Sequence, residues 1–436
     1  MAELHSFSIQ RASKQIASGE LKPSELMEAC IARIKAVDSD VRAWAHFDPD
    51  SALMHARLAD TRPLDHPLFG IPFGVKDIIE AIGLPTTYGT PIHHGHHSIR
   101  DAACVALLKE AGAIVAGKAV TTELAHFHPG KTRNPHTGTH TPGGSSSGSA
   151  AAVAAGMVPF ALGTQTTGSV LRPASYCGVF GFKPSFGDVN RSGVLECVSS
   201  FDTVGWFTRS IDDVETVRQG VVRLPPQSLD AFETKKLRIG LFRSSEWEKA
   251  EGATRDAIEQ AAATLAKAGA GVSDVTTPDW FRDLAELHRR VAGFEFARAI
   301  TYERTEHAQL LSRKLVDGRC GDGLELSYED YVAAQDALLR SRLAFADLMQ
   351  DYDVIMTPAA PGEAWDGLAA TGDPVFNTAW TALHVPAISI PAFKGPSDLP
   401  VGLQLVGCHR QDARLLAAAK AVARVLDVEE VAPVNP

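Results

Sequence analysis

Much of what this chain could be is excluded by what it lacks. None of its apolar runs approaches the roughly 20 residues needed to cross a bilayer. Stretches such as Ala150–Gly156 are short, rich in Ala and broken by Gly. Cysteine is scarce: six residues (Cys30, Cys104, Cys177, Cys197, Cys320, Cys408) with no C-x-x-C pair, a pattern of reduced buried thiols and not of a disulfide framework or zinc site. Positive charge is also in deficit. Lys plus Arg is 42 against 52 Asp plus Glu, a net charge of −10, which argues against direct nucleic-acid binding. The first residues carry neither the basic region nor the apolar stretch of a secretory signal, so a cytoplasmic location is expected. No H-E-x-x-H occurs, and no repeat or low-complexity linker divides the chain.

What remains is close to an average globular composition. Hydrophobic residues make up 45% and charged residues 22% of 436, enough for a large core. Strand-like runs at Trp44–Phe47, Ile71–Val75, Ala113–Ala116, Val158–Leu162, Lys236–Phe242, Asp353–Thr357, Ala387–Ile390 and Val401–Val406 alternate with helical periods. Among the helices are Ser8–Ser18, a second from Pro23, Asp101–Gly112, Ser149–Gly156, Thr254–Ala268, Ala285–Leu311, Ser327–Gln350 and Asp412–Leu426. Such alternation is the mark of an α/β protein. A short helical turn is expected at Thr121–Ala125 and an irregular loop over Lys131–Gly144. The expectation is one large α/β/α domain over 1–436, with a helical layer at 1–60, a core at 70–210 and further sheet and helices at 230–436.

Three motifs tempt and fail. Gly112-Ala113-Ile114-Val115-Ala116-Gly117-Lys118 matches part of a phosphate-binding loop and would make a nucleotide-binding protein. Ala119 stands where a hydroxyl should hold Mg²⁺, and the interior reads as a strand. Gly144-Ser145-Ser146-Ser147-Gly148 fits a nucleophile elbow in letters, but an elbow needs a strand before it. His93–His97 lacks partners at metal-ligand spacing and reads as a solvated loop, so no metal is expected.

Three segments carry the chemistry together: Gly70-Ile71-Pro72-Phe73-Gly74-Val75-Lys76-Asp77, then Pro142-Gly143-Gly144-Ser145-Ser146-Ser147-Gly148-Ser149, then Gly163-Thr164-Gln165-Thr166-Thr167-Gly168-Ser169-Val170-Leu171-Arg172. With Thr203-Val204-Gly205, Thr357-Pro358, Pro386-Ala387-Ile388 and Leu399–Gly407, they make the chain resemble the amidase signature family along most of its length. The resemblance implies a mixed, twisted central sheet flanked by helices. It also implies a serine acyl-enzyme mechanism: Ser169 as nucleophile, Ser145 as a bridging serine after a cis peptide bond, and Lys76 as base. The chemistry is apt. A serine hydroxyl needs a base, and a lysine amine serves as one near neutral pH only when burial disfavours its charge.

By the same resemblance the loop Thr166-Thr167-Gly168-Ser169 supplies the donors for the oxyanion, although Thr167 stands where a second Gly is common and would be strained at positive φ. Ser146 and Thr164 are expected to support the triad from behind. Arg172 is a candidate for a substrate carboxylate, as in small malonamidase-like members, or for a structural ion pair. His126, Phe127, His128 and Trp206 are expected to wall the acyl site. The implied protein is a free-standing, cytoplasmic, homodimeric amidase of small-molecule amides, without cofactor. The alternative is the A-type subunit of a glutamine-dependent aminoacyl-tRNA amidotransferase, whose partner subunits would hold the tRNA.

Overall fold

The computed structural model describes residues 3–225, 227–230 and 232–436. Among the described residues eleven strands form one sheet: β1 (Trp44–Phe47), β2 (Pro72–Lys76), β3 (Ile114–Ala119), β4 (Phe160–Gln165), β5 (Phe180–Lys183), β6 (Thr203–Thr208), β7 (Arg238–Leu241), β8 (Gly271–Asp274), β9 (Val354–Pro358), β10 (Ala387–Lys394) and β11 (Pro400–Val406). Their order is β1-β3-β2-β4-β6-β5-β10-β11-β9-β7-β8. β2 is parallel to both β3 and β4, and β7 to both β8 and β9, while the remaining pairs are antiparallel. The protein is therefore a single α/β domain on a mixed sheet with helices on both faces.

Side-chain alternation shows why both faces are covered. Phe160 and Leu162 of β4, Trp206 of β6, Val354 and Met356 of β9 and Leu403 and Leu405 of β11 enter one core with the helices Ile211–Val222 and Asp412–Val425. Their neighbours Ala161 and Phe207 face a second core under the helix Ser147–Ala154, and Ile355 and Val406 a third under Leu284–Ala299 and Tyr328–Leu348. Strands buried on both faces are apolar almost throughout.

Some elements differ from the sequence reading. The expected long helix Ala285–Leu311 is broken at Ile300 (φ −93°, ψ 28°) into Leu284–Ala299 and Thr301–Glu306, with a 3₁₀ turn at Ala308–Leu310. At Thr121–Ala125 only Glu123–Ala125 is a 3₁₀ turn, and Leu124 (φ 46°) and Ala125 (φ 57°) lie in the left-handed region. The parallel edge strand β8 carries no apolar alternation and went unread, as did β5 and β6.

The helix Ser147–Ala154 contains only small residues because all eight are buried against the sheet. Gly148 marks the closest approach: a Cβ there would stand 2.3 Å from the Ala43 carbonyl oxygen and 2.4 Å from the Val120 nitrogen. Both are backbone atoms, so neither can move aside cheaply. Gly148→Ala is expected to cost about 1–3 kcal/mol through overpacking, seen as a lower melting temperature in calorimetry. An unchanged melting temperature would contradict this packing.

Candidate active site

β2 ends at Lys76 and β4 at Gln165, side by side and parallel, so the loops that follow them meet above the same sheet edge. The glycine–serine segment crosses there on its way into the helix Ser147–Ala154. Gly143 takes φ 79°, and a Cβ on it would lie 2.8 Å from Pro173 Cα, so only glycine fits. The Gly144–Ser145 peptide is cis.

Lys76 is 0% exposed. Its Nζ donates to Ser145 Oγ at 2.7 Å and to Thr164 Oγ1 at 2.7 Å. Both partners are hydroxyls. Burial pushes the amine down to about 7, and the charge of Asp202 opposes that fall. The two other lysines at 0% exposure are placed differently. Lys118, from the discarded phosphate-loop motif, pairs with Asp77 at 3.0 Å, and Lys183 donates to the carbonyls of Pro184 and Val385.

Ser146 ties the segment to β4 reciprocally: its Oγ donates to the Thr164 carbonyl and accepts from the Thr164 N–H, both at 3.1 Å. Thr164 thus touches both Lys76 and Ser146. Ser169 follows β4 by four residues and is half-buried. Its carbonyl accepts from Ser146 N at 3.4 Å, which sets the two serine segments against each other. The Ser169 hydroxyl itself makes no hydrogen bond to Ser145 or to any other described residue.

The loop Thr166–Ser169 is held from four distant parts of the chain. The Thr166 hydroxyl donates to Asp202 and its carbonyl accepts from His288 Nε2 at 2.8 Å. The Thr167 hydroxyl accepts from Arg319 Nη2 at 3.1 Å, and its carbonyl accepts from Thr381 Oγ1 at 2.9 Å. Gln165 finishes the loop by accepting the N–H groups of Val170 and Leu171 at 2.9 and 3.1 Å. Thr167 is not among the residues with positive φ, so the strain feared for a β-branched residue does not arise. The backbone N–H groups of Thr167, Gly168 and Ser169 donate to no protein acceptor among the described residues.

The expected wall residues divide. His126 is 5% exposed, and neither ring nitrogen has a partner. Burial, reinforced by Arg319 and Lys314, holds it neutral, well below the ordinary histidine range. Its ring stands 4.9 Å from Phe127 and 5.3 Å from Phe296. Phe127 is half-buried under the Arg319 guanidinium, 5.6 Å away, whereas His128 is exposed on the outside of the turn. Trp206 has to be removed from the wall. Strand alternation sends its indole to the opposite face of the sheet, where it is fully buried against Phe182 and donates to the Val214 carbonyl at 3.0 Å. Arg172 is displaced too. It is 1% exposed, and its Nη2 donates to the Gly144 carbonyl at 2.7 Å and to Thr371 Oγ1 at 3.2 Å, because the wholly buried helix Leu171–Cys177 turns it beneath the glycine–serine segment.

Sequence reasoning missed Asp202, His288, Arg319 and Thr381. Only Arg319 left a legible mark: Gly318 and Gly321 interrupt the helical period around it, and a π-helical turn, Val316–Cys320, carries it to the loop. A cavity of about 650 Å³ between the helix Pro49–Asp60 and β3 lies away from these groups. Among the described residues no group of three or more His, Cys, Asp or Glu is arranged to hold a metal, and no helix is long and apolar enough to cross a membrane.

The chain is similar to known proteins along nearly its whole length. The family model Amidase matches residues 25–416. The A-type subunit of glutamyl-tRNA(Gln) amidotransferase from Chloroflexus aggregans is 34% identical over 98% of this chain and 98% of its own. Peptide amidase from Stenotrophomonas maltophilia superposes with a TM-score of 0.85 at 28% identity, over 98% of each chain. A chain from an unexpected vestigial protein complex that reveals the evolutionary origins of an s-triazine catabolic enzyme superposes with a TM-score of 0.89 at 27% identity, over 97% of this chain and 99% of that one. The chain belongs to the amidase family and is a hydrolase of carbon–nitrogen amide bonds.

Proposed function

We propose that the protein cleaves linear carboxamides through an acyl-enzyme on Ser169, with Ser145 relaying protons to and from Lys76. The observation that carries this reading is a fully buried lysine amine, lowered to about 7, whose partners are two hydroxyls 2.7 Å away. A neutral amine keeps its donation to Thr164 and offers its lone pair to the Ser145 hydroxyl. As Ser169 Oγ bonds to the amide carbon, its proton passes to Ser145, and Ser145 passes its own to Lys76. The carbonyl π pair moves to oxygen, where the free N–H groups of the loop Thr167–Ser169 receive the charge. Collapse breaks the C–N bond, and the leaving nitrogen takes the proton back from Lys76 through Ser145. Water then repeats the cycle on the ester and releases a carboxylic acid and free Ser169.

The acyl site, on this reading, lies beside His126, Phe127 and Arg319. Arg172 is buried with its Nη2 on the Gly144 carbonyl and Thr371, and its Nε and Nη1 meet no protein partner among the described residues. Arg319, which touches the loop through a single hydrogen bond and spans the faces of Phe127 and Phe296, is the cation placed to favour amides whose acyl part carries a negative charge. The A-type subunit reading keeps its own support, the 34% identity to such an amidotransferase component over nearly the whole chain. As a free-standing amidase the protein is proposed to act in the cytoplasm as a homodimer. Light scattering on the purified chain should then give a dimer active without other subunits. Glutaminase activity that appears only with co-purified subunits would favour the alternative.

Three outcomes follow for the chemistry. Ser169→Ala should lower kcat by about 10³-fold or more, with no acyl adduct by mass spectrometry, and retained turnover would end the reading. Lys76 must be neutral to act, so kcat/KM should rise with pH through about 7 and stay level above it; a profile still rising toward pH 10 would contradict a lowered lysine. Arg319→Gln should reduce kcat/KM at least about tenfold more for a dicarboxylic acid monoamide than for its methyl ester. Equal losses on both substrates would remove Arg319 from recognition.

A further inference from the structure

Asp202 is a buried carboxylate that makes no hydrogen bond to Lys76 or Ser169, yet it holds Thr166, which opens the loop that would carry the oxyanion donors. It closes the turn Cys197–Asp202, where one oxygen accepts the N–H groups of Cys197 and Val198 at 2.8 and 2.9 Å, and the other accepts the Thr166 hydroxyl. Burial raises this carboxyl above its ordinary range, and the three donors oppose the rise by favouring its ionised form. Asp202 also lines a void of about 10 Å³, no more than a single water could fill. Thr164, whose hydroxyl accepts from Lys76, lines that void together with Thr166, Cys197 and Asp202.

We propose that Asp202 is a positioning residue for the reaction: through the Thr166 hydroxyl it fixes the loop that ends in Ser169, and from the void it lines with Thr164, whose hydroxyl holds Lys76 Nζ, it supplies the negative charge that steadies Lys76 when it takes the proton. This rests on Lys76 and Ser169 being base and nucleophile. The other charged and titratable groups nearby do not fill the role. Asp77, next in sequence, is bound to Lys118 and Thr87. The Cys197 thiol is held protonated by burial, well above its ordinary range. His288 is kept neutral by burial and stacks on Phe201. Arg319 and Arg191 are cations that face Asp202 and favour its ionised form.

Proton transfer from Ser169 to Lys76 creates a buried cation and an oxyanion at the same moment. A carboxylate that braces the oxyanion loop and lies behind the Thr164 hydroxyl that holds the cation acts on both ends of that charge separation. Its two functions can be separated by substitution. Asp202→Asn removes the charge and keeps the shape, since the Thr166 hydroxyl can turn to accept from the new amide. Thr166→Val removes the tether and keeps the charge.

The test is the pH profile of kcat/KM, with kcat and KM separately, for wild type, Asp202→Asn, Thr166→Val and Thr166→Ser, each checked by thermal melting. Asp202→Asn should move the rising limb to lower pH by at least about half a unit, because the buried amine loses the charge that helps it hold its proton. Thr166→Val should leave the limb in place and lower kcat about tenfold or more with KM within twofold, and Thr166→Ser should restore kcat. A limb that stays put in Asp202→Asn, or wild-type kcat in Thr166→Val, overturns the proposal. Should Asp202→Asn not fold, Asp202→Glu replaces it: the charge is kept and the reach altered, so kcat should fall with the limb unmoved, and a shifted limb overturns the proposal. Labelling of wild-type Ser169 by a fluorophosphonate is read alongside. No label there ends the acyl-enzyme reading itself, whereas a labelled enzyme with an unmoved limb refutes only the role of Asp202.

Discussion

A lysine amine held out of water with only hydroxyl groups for partners is the constraint around which this site is arranged. Burial alone disfavours the ammonium, and a carboxylate in contact would reverse that by favouring it again. The contrast lies within the same sheet: Lys118, one strand over on β3, has Asp77 at 3.0 Å, whereas Lys76 on β2 has Ser145 and Thr164 at 2.7 Å. To keep such an amine dry, the small-residue helix Ser147–Ala154 must lie flat on the sheet, and Gly148 allows that approach. To keep it useful, a hydroxyl must be brought within reach from outside the strand, and the glycine–serine segment does so.

The same economy governs the loop after β4. On the proposed mechanism a nucleophile and its oxyanion donors must be fixed relative to a carbonyl carbon within a fraction of an ångström, yet a loop of four residues cannot hold itself. Asp202, His288, Arg319 and Thr381 grip Thr166 and Thr167 from four segments far apart in sequence. Their grips fall on side-chain hydroxyls and carbonyls, and the backbone N–H groups of Thr167 to Ser169 are left free.

How much of this could be read in advance follows from how local each feature is. The pairing of Lys76 with Ser145, and the support from Thr164 and Ser146, are legible through the family resemblance, because the three short segments that carry it also carry these residues. The central strands were legible where apolar runs stand between turn signals. Residues acting across long sequence separations were not. Asp202 lies in an ordinary turn, His288 on a helix whose period looks like any other, and Thr381 in a five-residue helix; nothing local marks them. Trp206 was misplaced for a related reason: which face of a strand an indole takes depends on register within the sheet, and the strand had not been recognised. Arg172 looked like a ligand for carboxylate because its spacing from Ser169 is short, but the intervening turn buries it under Gly144.

Everything in this mechanism turns on the charge of Lys76. Its titration can be followed directly by nuclear magnetic resonance of the Lys76 side-chain carbon and nitrogen in the intact enzyme, assigned by loss of the signal in Lys76→Met. A midpoint near about 7 is the predicted result. A midpoint near the ordinary lysine value of about 10.4 would mean that the amine is charged at neutral pH and cannot be the base, and the mechanism built on it would be wrong.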